Sequence, residues 1–382
     1  MADLFFNNDA IIWVKNESDF AANQVPGETD AVKYLTSQYS ISQDRQNVPD
    51  RKGTRSIYER VAGRTSAEWE ISTLLRPGNA LGGTPNGAPL FISAMGSGAS
   101  ASNTSYTLTL SKDHGDNGQT LQVVEKINDM VGRYIRGGFA KTMSIAGSTE
   151  DFITCTFAGG AKYLAHVKNN TSSSAQNSNS KSLNVAIGAN FAPGAIIDID
   201  KGSDPDVTNY VTKVSGNTLT LANNAQWPNG TAVRPWFPDM DSYAHSPALH
   251  GRDTSVTFDG TAFAVTSFSV ELDNMIENYF ASGDVSPTDV FPSTARTVNL
   301  SLTFAAQKGS IKTINQFVSG DDHKAVVITV GTTAKKRCKI EMPKVNFDPA
   351  TFDLPEEGYG EVSLSGTAVA SSNENELKIV FN

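Results

Sequence analysis

The chain has 382 residues, 39% of them hydrophobic and 19% charged, with a formal charge of −9 and two cysteines. That length allows two or three compact units with a real core and excludes collagen-like and strongly disordered compositions. An acidic chain whose polar surface is built mostly from Ser, Thr and Asn is expected to be β-rich, and its overall acidity argues against adhesion to DNA phosphates, which needs clustered Lys and Arg.

No apolar run approaches the roughly 18 residues of a membrane span. The opening MADLFFNNDA carries Asp3 where a secretory signal carries basic residues, so no export signal is expected and synthesis in a reducing cytoplasm fits. Cys155 and Cys338 each sit in an alternating apolar pattern, which predicts two buried thiols and no disulfide framework.

In chain order, the first unusual stretch is 41–65, with Arg45, Arg51, Lys52, Arg55, Arg60 and Arg64 against Asp44, Asp50 and Glu59, a local +3. Pro49 and Gly53 predict a long loop there, and its bland reading is a solvated charge run. Its sharper reading is an arm, including Tyr58, that docks on the acidic surface of another copy and so builds rings and stacks. Period-two alternation then predicts strands at 67–74, with Trp69 and Ile71 inward, and at 104–111, with Tyr106, Leu108 and Leu110 inward. Between Val123 and Tyr134 the spacing also fits a helix, although β-branched residues and glycines surround it. The stretch is ambiguous.

At 169–182 the sequence NNTSSSAQNSNSKS has no hydrophobic residue except Ala175, which predicts a flexible linker over 169–181. Short strand signals at close spacing follow, predicting a small inserted β module over 182–245. The flanking segments 1–168 and 246–382 then form one larger β domain interrupted at a surface loop. Turn dipeptides predict hairpins at Gly216-Asn217 and Asp259-Gly260. Ser310 caps a predicted helix over 310–319, with Ile311, Ile314, Phe317 and Val318 on one face and Gly320 as its stop. Alternation returns at 297–304, at 338–342, around Val362 and Leu364, and at 377–381.

Few residues suggest chemistry. His245, His250 and Asp253 sketch a metal site, but their spacing matches no known ligand pattern and Pro247 favours an ordinary loop. Asp198, Asp200, Asp204 and Asp206 resemble a calcium loop without its closing Glu, and Glu356-Glu357 fits a surface turn. Nucleophile elbows, phosphate loops, dinucleotide fingerprints and CxxC pairs are absent from the sequence, so neither a cofactor nor catalysis is expected.

Four segments together resemble the tail tube proteins of long-tailed bacteriophages. They are the strand that precedes the charged loop, AEWEISTLLRPGNALGGTPNGAPLFISAMGS, VTFDGTAFAVTSFSVELDN, and EMPKVNF with EVSLSGTAVASSNENELKIVFN, covering most of 1–165 and 250–382. The resemblance implies a mainly β fold, a tail-tube-like β-sandwich or barrel with a flanking α-helix, to which the inserted module is added. It further implies hexameric rings that stack into a hollow tube in the virion, around a tape measure protein, with tail terminator and distal tail or baseplate proteins at the ends and DNA passing without specific binding. Inner strands of neighbouring copies would then pair edge to edge, with polar faces such as Thr297, Asn299, Ser301 and Thr303, or Glu68 and Glu70, toward water. Two other readings stand beside this one. In the first, the chain is a virion decoration or carbohydrate-binding adhesin with Trp227, Trp236 and Phe237 as a stacking platform. In the second it is a polysaccharide-cleaving enzyme using carboxylates such as Asp198 and Asp200, for which no cleft is placed.

Overall fold

A computed structural model describes residues 10–48, 59–96, 100–101, 104–111, 119–128, 130–200, 207–239, 246–305, 323–333, 336–353, 360–372 and 374–382. Residues up to 168 contribute β1 (Ile11–Asn16), β2 (Ala31–Val32), β3 (Thr36–Asn47), β4 (Arg60–Leu74), the helix α1 (Ala88–Met95), β5 (Ser100–Ala101), β6 (Tyr106–Thr109), β7 (Leu121–Asn128), β8 (Val131–Ser148) and β9 (Thr154–Lys168). Next come β10 (Asn170–Thr171), β11 (Gln176–Asn184), β12 (Ile196–Ile199), β13 (Val207–Ser215), β14 (Thr218–Trp227) and β15 (Ala232–Pro235). After them follow β16 (Thr254–Phe258), β17 (Thr261–Phe263), β18 (Val265–Asp273), β19 (Ile276–Tyr279), β20 (Asp289–Pro292) and β21 (Thr297–Ala305). The chain closes with β22 (Lys324–Val330), β23 (Cys338–Phe347), β24 (Thr351–Asp353), β25 (Glu361–Ala368) and β26 (Lys378–Phe381).

The fold is mainly β, built from large antiparallel sheets, one of them curved into a half-barrel. Its principal sheet runs β3-β4-β9-β8-β18-β21-β25. A second layer runs β17-β16-β22-β23-β26-β6-β5, and it joins the first where the end of β23 pairs with β25. The two inner faces form one core, because alternation puts every second residue of each strand between the layers. Ile71, Phe157, Met143, Leu272, Val298 and Ala368 make one register row across six strands of the principal sheet, all buried. At about 1.5–3 kcal/mol for each large side chain removed from water, such rows hold the layers together.

Helix α1 fills the space between the layers. Its Phe91 ring meets Phe157 of the principal sheet edge-on at 4.9 Å and Phe381 of the second layer at 5.7 Å. Pro89 lies in its first turn and Gly96 follows its last residue, the usual asymmetry of helix ends. The helix predicted over 310–319 falls outside the described residues.

Both predicted hairpins form. Asp259 and Gly260 take positive φ values of 46° and 83° between β16 and β17, as a tight turn between twisted strands requires, and Gly216-Asn217 joins β13 to β14. Three other expectations are corrected. The helix-like spacing from Val123 to Tyr134 belongs to strands β7 and β8; Leu121 to Glu125 are all buried, so both faces carry apolar residues and the period of two is hidden. The supposed linker at 169–182 contains β10, paired with β15, and much of β11, paired with β14 at Gln176, Ser180 and from Ser182 to Asn184, with Asn179, Lys181 and Ser182 exposed. The supposed loop at 41–65 is in large part the extension of β3 and β4, paired from Thr36–Ser72 out to Asn47–Arg60. No residue of that extension is buried, so it shows no apolar alternation to read.

The inserted strands form their own sheet in the order β10-β15-β12-β13-β14-β11. This sheet does not stand apart. Its buried Leu183, Ile197, Leu219 and Trp227 share one cluster with Trp13, Val124, Tyr134 and Val167 of β1, β7, β8 and β9. At the same junction the Arg136 guanidinium lies 5.9 Å from the Tyr163 ring centre and 5.7 Å from that of Tyr210. Beside it, Glu17 accepts the N–H groups of Ala21 at 3.0 Å and Gly137 at 2.9 Å. Only 1% of Glu17 is exposed, and burial raises its carboxyl from 4.5 to about 7 against the opposing pull of these N–H groups, Thr120 and Arg136. Burial likewise raises the Cys155 and Cys338 thiols, which are free and buried as the sequence predicts.

Candidate functional site

The outward face of the principal sheet is its least ordinary surface. One row crosses all seven strands through Thr36, Ser72, Thr156, Ser144, Glu271, Asn299 and Thr367. Parallel to it run Gln38, Glu70, Ala158, Thr142, Asp273 and Thr297, then Thr154, Ala146, Ser269, Ser301 and Ser365, then Ser148, Ser267, Thr303 and Ser363. These rows carry three carboxylates and no basic side chain; the rest are hydroxyls, amides and alanines. An open antiparallel face is usually dressed with long charged side chains, and here short ones make it flat. Local bonds tie some of them together, such as Ser72 Oγ to Thr156 Oγ1 at 2.9 Å and Thr367 Oγ1 donating to Asn299 at 3.3 Å. The two polar faces expected from the sequence, 297–303 and Glu68 with Glu70, are thus parts of one surface. Each was legible as alternation, but only strand register unites them.

One margin of this sheet is open. Among the described residues β3 pairs with β4 alone, so its outer N–H and C=O groups face away from the sheet over a 12-residue strand. Beyond residue 41 the hairpin projects with Ile41 54% exposed and Val61 51% exposed, and with Arg45 and Arg60 both on its surface. Arg51, Lys52, Arg55 and Tyr58 lie outside the described residues. The structure therefore places Arg45 and Arg60 on opposite strands of one projecting hairpin.

The root of that hairpin is firmly held. Glu125 of β7, itself buried, accepts from Ser37 Oγ at 2.6 Å and Tyr34 at 3.3 Å and pairs with Arg133 Nε at 2.7 Å. Burial pushes the Glu125 carboxyl up, while Ser37 and Arg133 pull it back. The Arg133 guanidinium in turn covers the Tyr39 ring at 4.8 Å. Sequence reasoning missed this clamp, because Glu125 and Ser37 are ordinary residues far apart in the chain. Farther out, Arg64 lies over Phe280 at 4.8 Å, and the Thr65 N–H donates to Val285 O at 2.7 Å, so the β19–β20 hairpin braces the arm from one side.

A groove of about 570 Å³ opens at the foot of the arm, between the outward side of β3–β4 and β19. Its floor is Ala158, Gly159 and Gly160; its rims carry Glu68, Glu70 and Glu277, with Lys141 and Asn278 beside them. Gly159 and Gly160 leave no room for a side chain along this floor. A Cβ at Gly159 would overlap the Phe139 carbonyl oxygen, and one at Gly160 would come within 2.6 Å of the Phe139 ring. A register shift between Ala140 and Thr142 gives β8 a bulge at Lys141.

The other singled-out residues do not converge. Trp227 is 2% exposed in the core of the inserted sheet, and Trp236 and Phe237 pack against that core, Phe237 stacking on Tyr134, so the three make no open aromatic platform. Asp200 pairs with Arg234; Asp204, Asp206, His245, Glu356 and Glu357 lie outside the described residues. His250 forms a bridge with Phe152 and takes the Arg252 N–H at 3.1 Å on Nδ1. Among the described residues, His, Cys, Asp and Glu side chains nowhere gather in a group of three able to hold a metal ion. Also among them, no helix is long and apolar enough to cross a membrane. No family model matches this chain, and no curated protein matches it.

Proposed function

We propose that this chain is a self-assembling structural subunit of a long-tailed phage tail tube. Copies form hexameric rings that stack into a hollow tube around a tape measure protein, between a terminator and the distal tail or baseplate proteins, and DNA later passes along the lumen. The observation that carries this reading is the conjunction of a flat face of Ser, Thr and Asn side chains with an open 12-residue margin on the same sheet. An unpaired strand edge of that length is a liability for a solitary molecule and an asset for one whose neighbour pairs with it. A surface whose rows carry a few carboxylates, with Lys141 the one basic group in the groove beside them, holds phosphate weakly, so DNA slides past without adhering. The projecting Arg45 and Arg60 suit contact between successive copies.

The test has two parts. Purified protein at rising concentration, viewed by negative stain, forms uniform hollow rings or tubes; persistent monomers would refute the proposal. A cysteine introduced by Ser365→Cys, on the polar face, then reacts with a bulky polymer maleimide in dissociated protein and is shielded in closed tubes. Equal labelling of both forms would remove this face from the lumen.

A further inference from the structure

Among the described residues asparagine precedes glycine at Asn86-Gly87 and at Asn229-Gly230; Asn117-Gly118 lies outside them. The pair is chemically special because glycine has no side chain to shield its backbone nitrogen, which can then reach the carbonyl carbon of the preceding side chain. The fold treats the two pairs in opposite ways. Asn86 is 1% exposed, and its amide is engaged at both ends: Oδ1 accepts the Lys33 N–H at 2.9 Å, and Nδ2 donates to the Lys33 carbonyl at 2.8 Å. Asn229 is exposed in the turn between β14 and β15, and its side chain makes no hydrogen bond among the described residues. Gly230 beyond it has a φ of 77°, a Cβ there would meet nothing within 4 Å, and its N–H donates to the Ser172 carbonyl over a long 3.3 Å.

We propose that Asn229 is a self-modification site, where the chain converts its own amide to a carboxylate and thereby loosens the closing seam of the inserted sheet. In the first step the Gly230 nitrogen bonds to the Asn229 side-chain carbonyl carbon and the bond to the side-chain nitrogen breaks. Ammonia leaves, carrying the proton that the backbone nitrogen gave up. Water then opens the cyclic imide on one side or the other, giving aspartate or isoaspartate with no oxidant or reductant.

The two outermost strands of the inserted sheet meet beside this turn. Ser172, which follows β10 and is 3% exposed, bridges to Val185, which follows β11. The same Ser172 holds the turn: its N–H donates to Thr231 O at 2.8 Å, and its hydroxyl accepts the Thr231 N–H at 2.9 Å and donates to Pro228 O at 3.2 Å. Isoaspartate runs the backbone through the former side chain, so an extra methylene enters between Pro228 and Thr231 and displaces them from Ser172. Aspartate adds charge alone. The inference needs nothing from the assembly reading.

The full chain is incubated at pH 8 and 37 °C, digested under mildly acidic conditions and mapped by fragment-ion mass spectrometry. Asn229 converts at least about tenfold faster than Asn86, which must open locally before it can react. Its rate climbs with pH, because the attacking nitrogen must lose its proton. Hydrogen exchange at Ser172 and Thr231 quickens in step with isoaspartate. An Asn229→Gln variant, changed at an exposed position and far slower to form the cyclic imide, keeps both amides slow through the same incubation. Freshly purified Asn229→Asp, with the charge but not the added methylene, does so too. An Asn229 that stays intact, or converts no faster than Asn86, overturns the inference; so does exchange at those amides that is unmoved in the converted parent or quickens equally in Asn229→Gln.

Discussion

Replacing Glu17 by Gln changes how stability depends on pH, by an amount the structure sets. The folded-state value of about 7 lies above the ordinary 4.5, because the side chain is 1% exposed and burial outweighs the N–H groups of Ala21 and Gly137. The folded protein therefore holds this proton more tightly than the unfolded chain, so the contribution is complete below 4.5 and lost as pH rises through 7. At about 1.4 kcal/mol per pH unit of displacement the contribution has a ceiling of about 3 kcal/mol, and most of it disappears between pH 5 and 8. Gln has no proton to lose. It also offers one acceptor oxygen where the carboxyl offers two, leaving either the Ala21 or the Gly137 N–H unmet at a cost of about 1–3 kcal/mol at every pH. Urea unfolding of both proteins at several pH values separates the effects: the constant cost is an offset, and the titration is a narrowing of the gap as pH rises. Two stability curves that stay parallel from pH 5 to 8 would refute the placement of Glu17 as a buried, protonatable carboxyl.

Other consequences are open to direct measurement. Phe91→Ala empties the meeting point of Phe157 and Phe381 and should cost about 3–5 kcal/mol in denaturant unfolding. Gly159→Ala forces β8 and β9 apart at the groove floor and should destabilise by about 1–3 kcal/mol, seen as a lower thermal midpoint. Ser301→Lys with Ser365→Lys, on the open polar face, should leave stability within about 0.5 kcal/mol per site yet create salt-sensitive DNA affinity, read by fluorescence anisotropy. Cys155 and Cys338 should both stay silent to a thiol reagent at pH 8 and both react once the chain is unfolded in denaturant.

Residues whose two faces differ in surroundings were easy to read. Val298, Leu300, Leu302 and Phe304 alternate with Thr and Ser, and the strand lies where that pattern puts it, apolar side inward. Where both faces share one environment, the pattern is lost. Leu121 to Glu125 are buried throughout and imitate a helix; 41–47 and 60–64 are largely exposed and imitate a loop, although β3 and β4 stay paired there apart from a bulge between Gln43 and Arg45. Helix α1 was missed because it is buried nearly all round and spans only eight residues, too short for a periodicity; its only local signals are Pro89 near the start and Gly96 at the end. Of the candidate surface, the charges of Arg45 and Arg60 were visible in the sequence. The groove was not, because it depends on Glu70 meeting Ala158 across one pairing and on β19 lying alongside, which are facts of register.

Because Trp13, Tyr134 and Val167 lie in the same apolar cluster as Leu219 and Trp227, the inserted sheet is not detachable cargo. Cutting it out would bare the flank of β7, β8 and β9, and grafting it elsewhere would require that flank to travel with it. Heat should melt the two sheets in a single calorimetric peak, since neither can shed that shared apolar cluster without exposing the other.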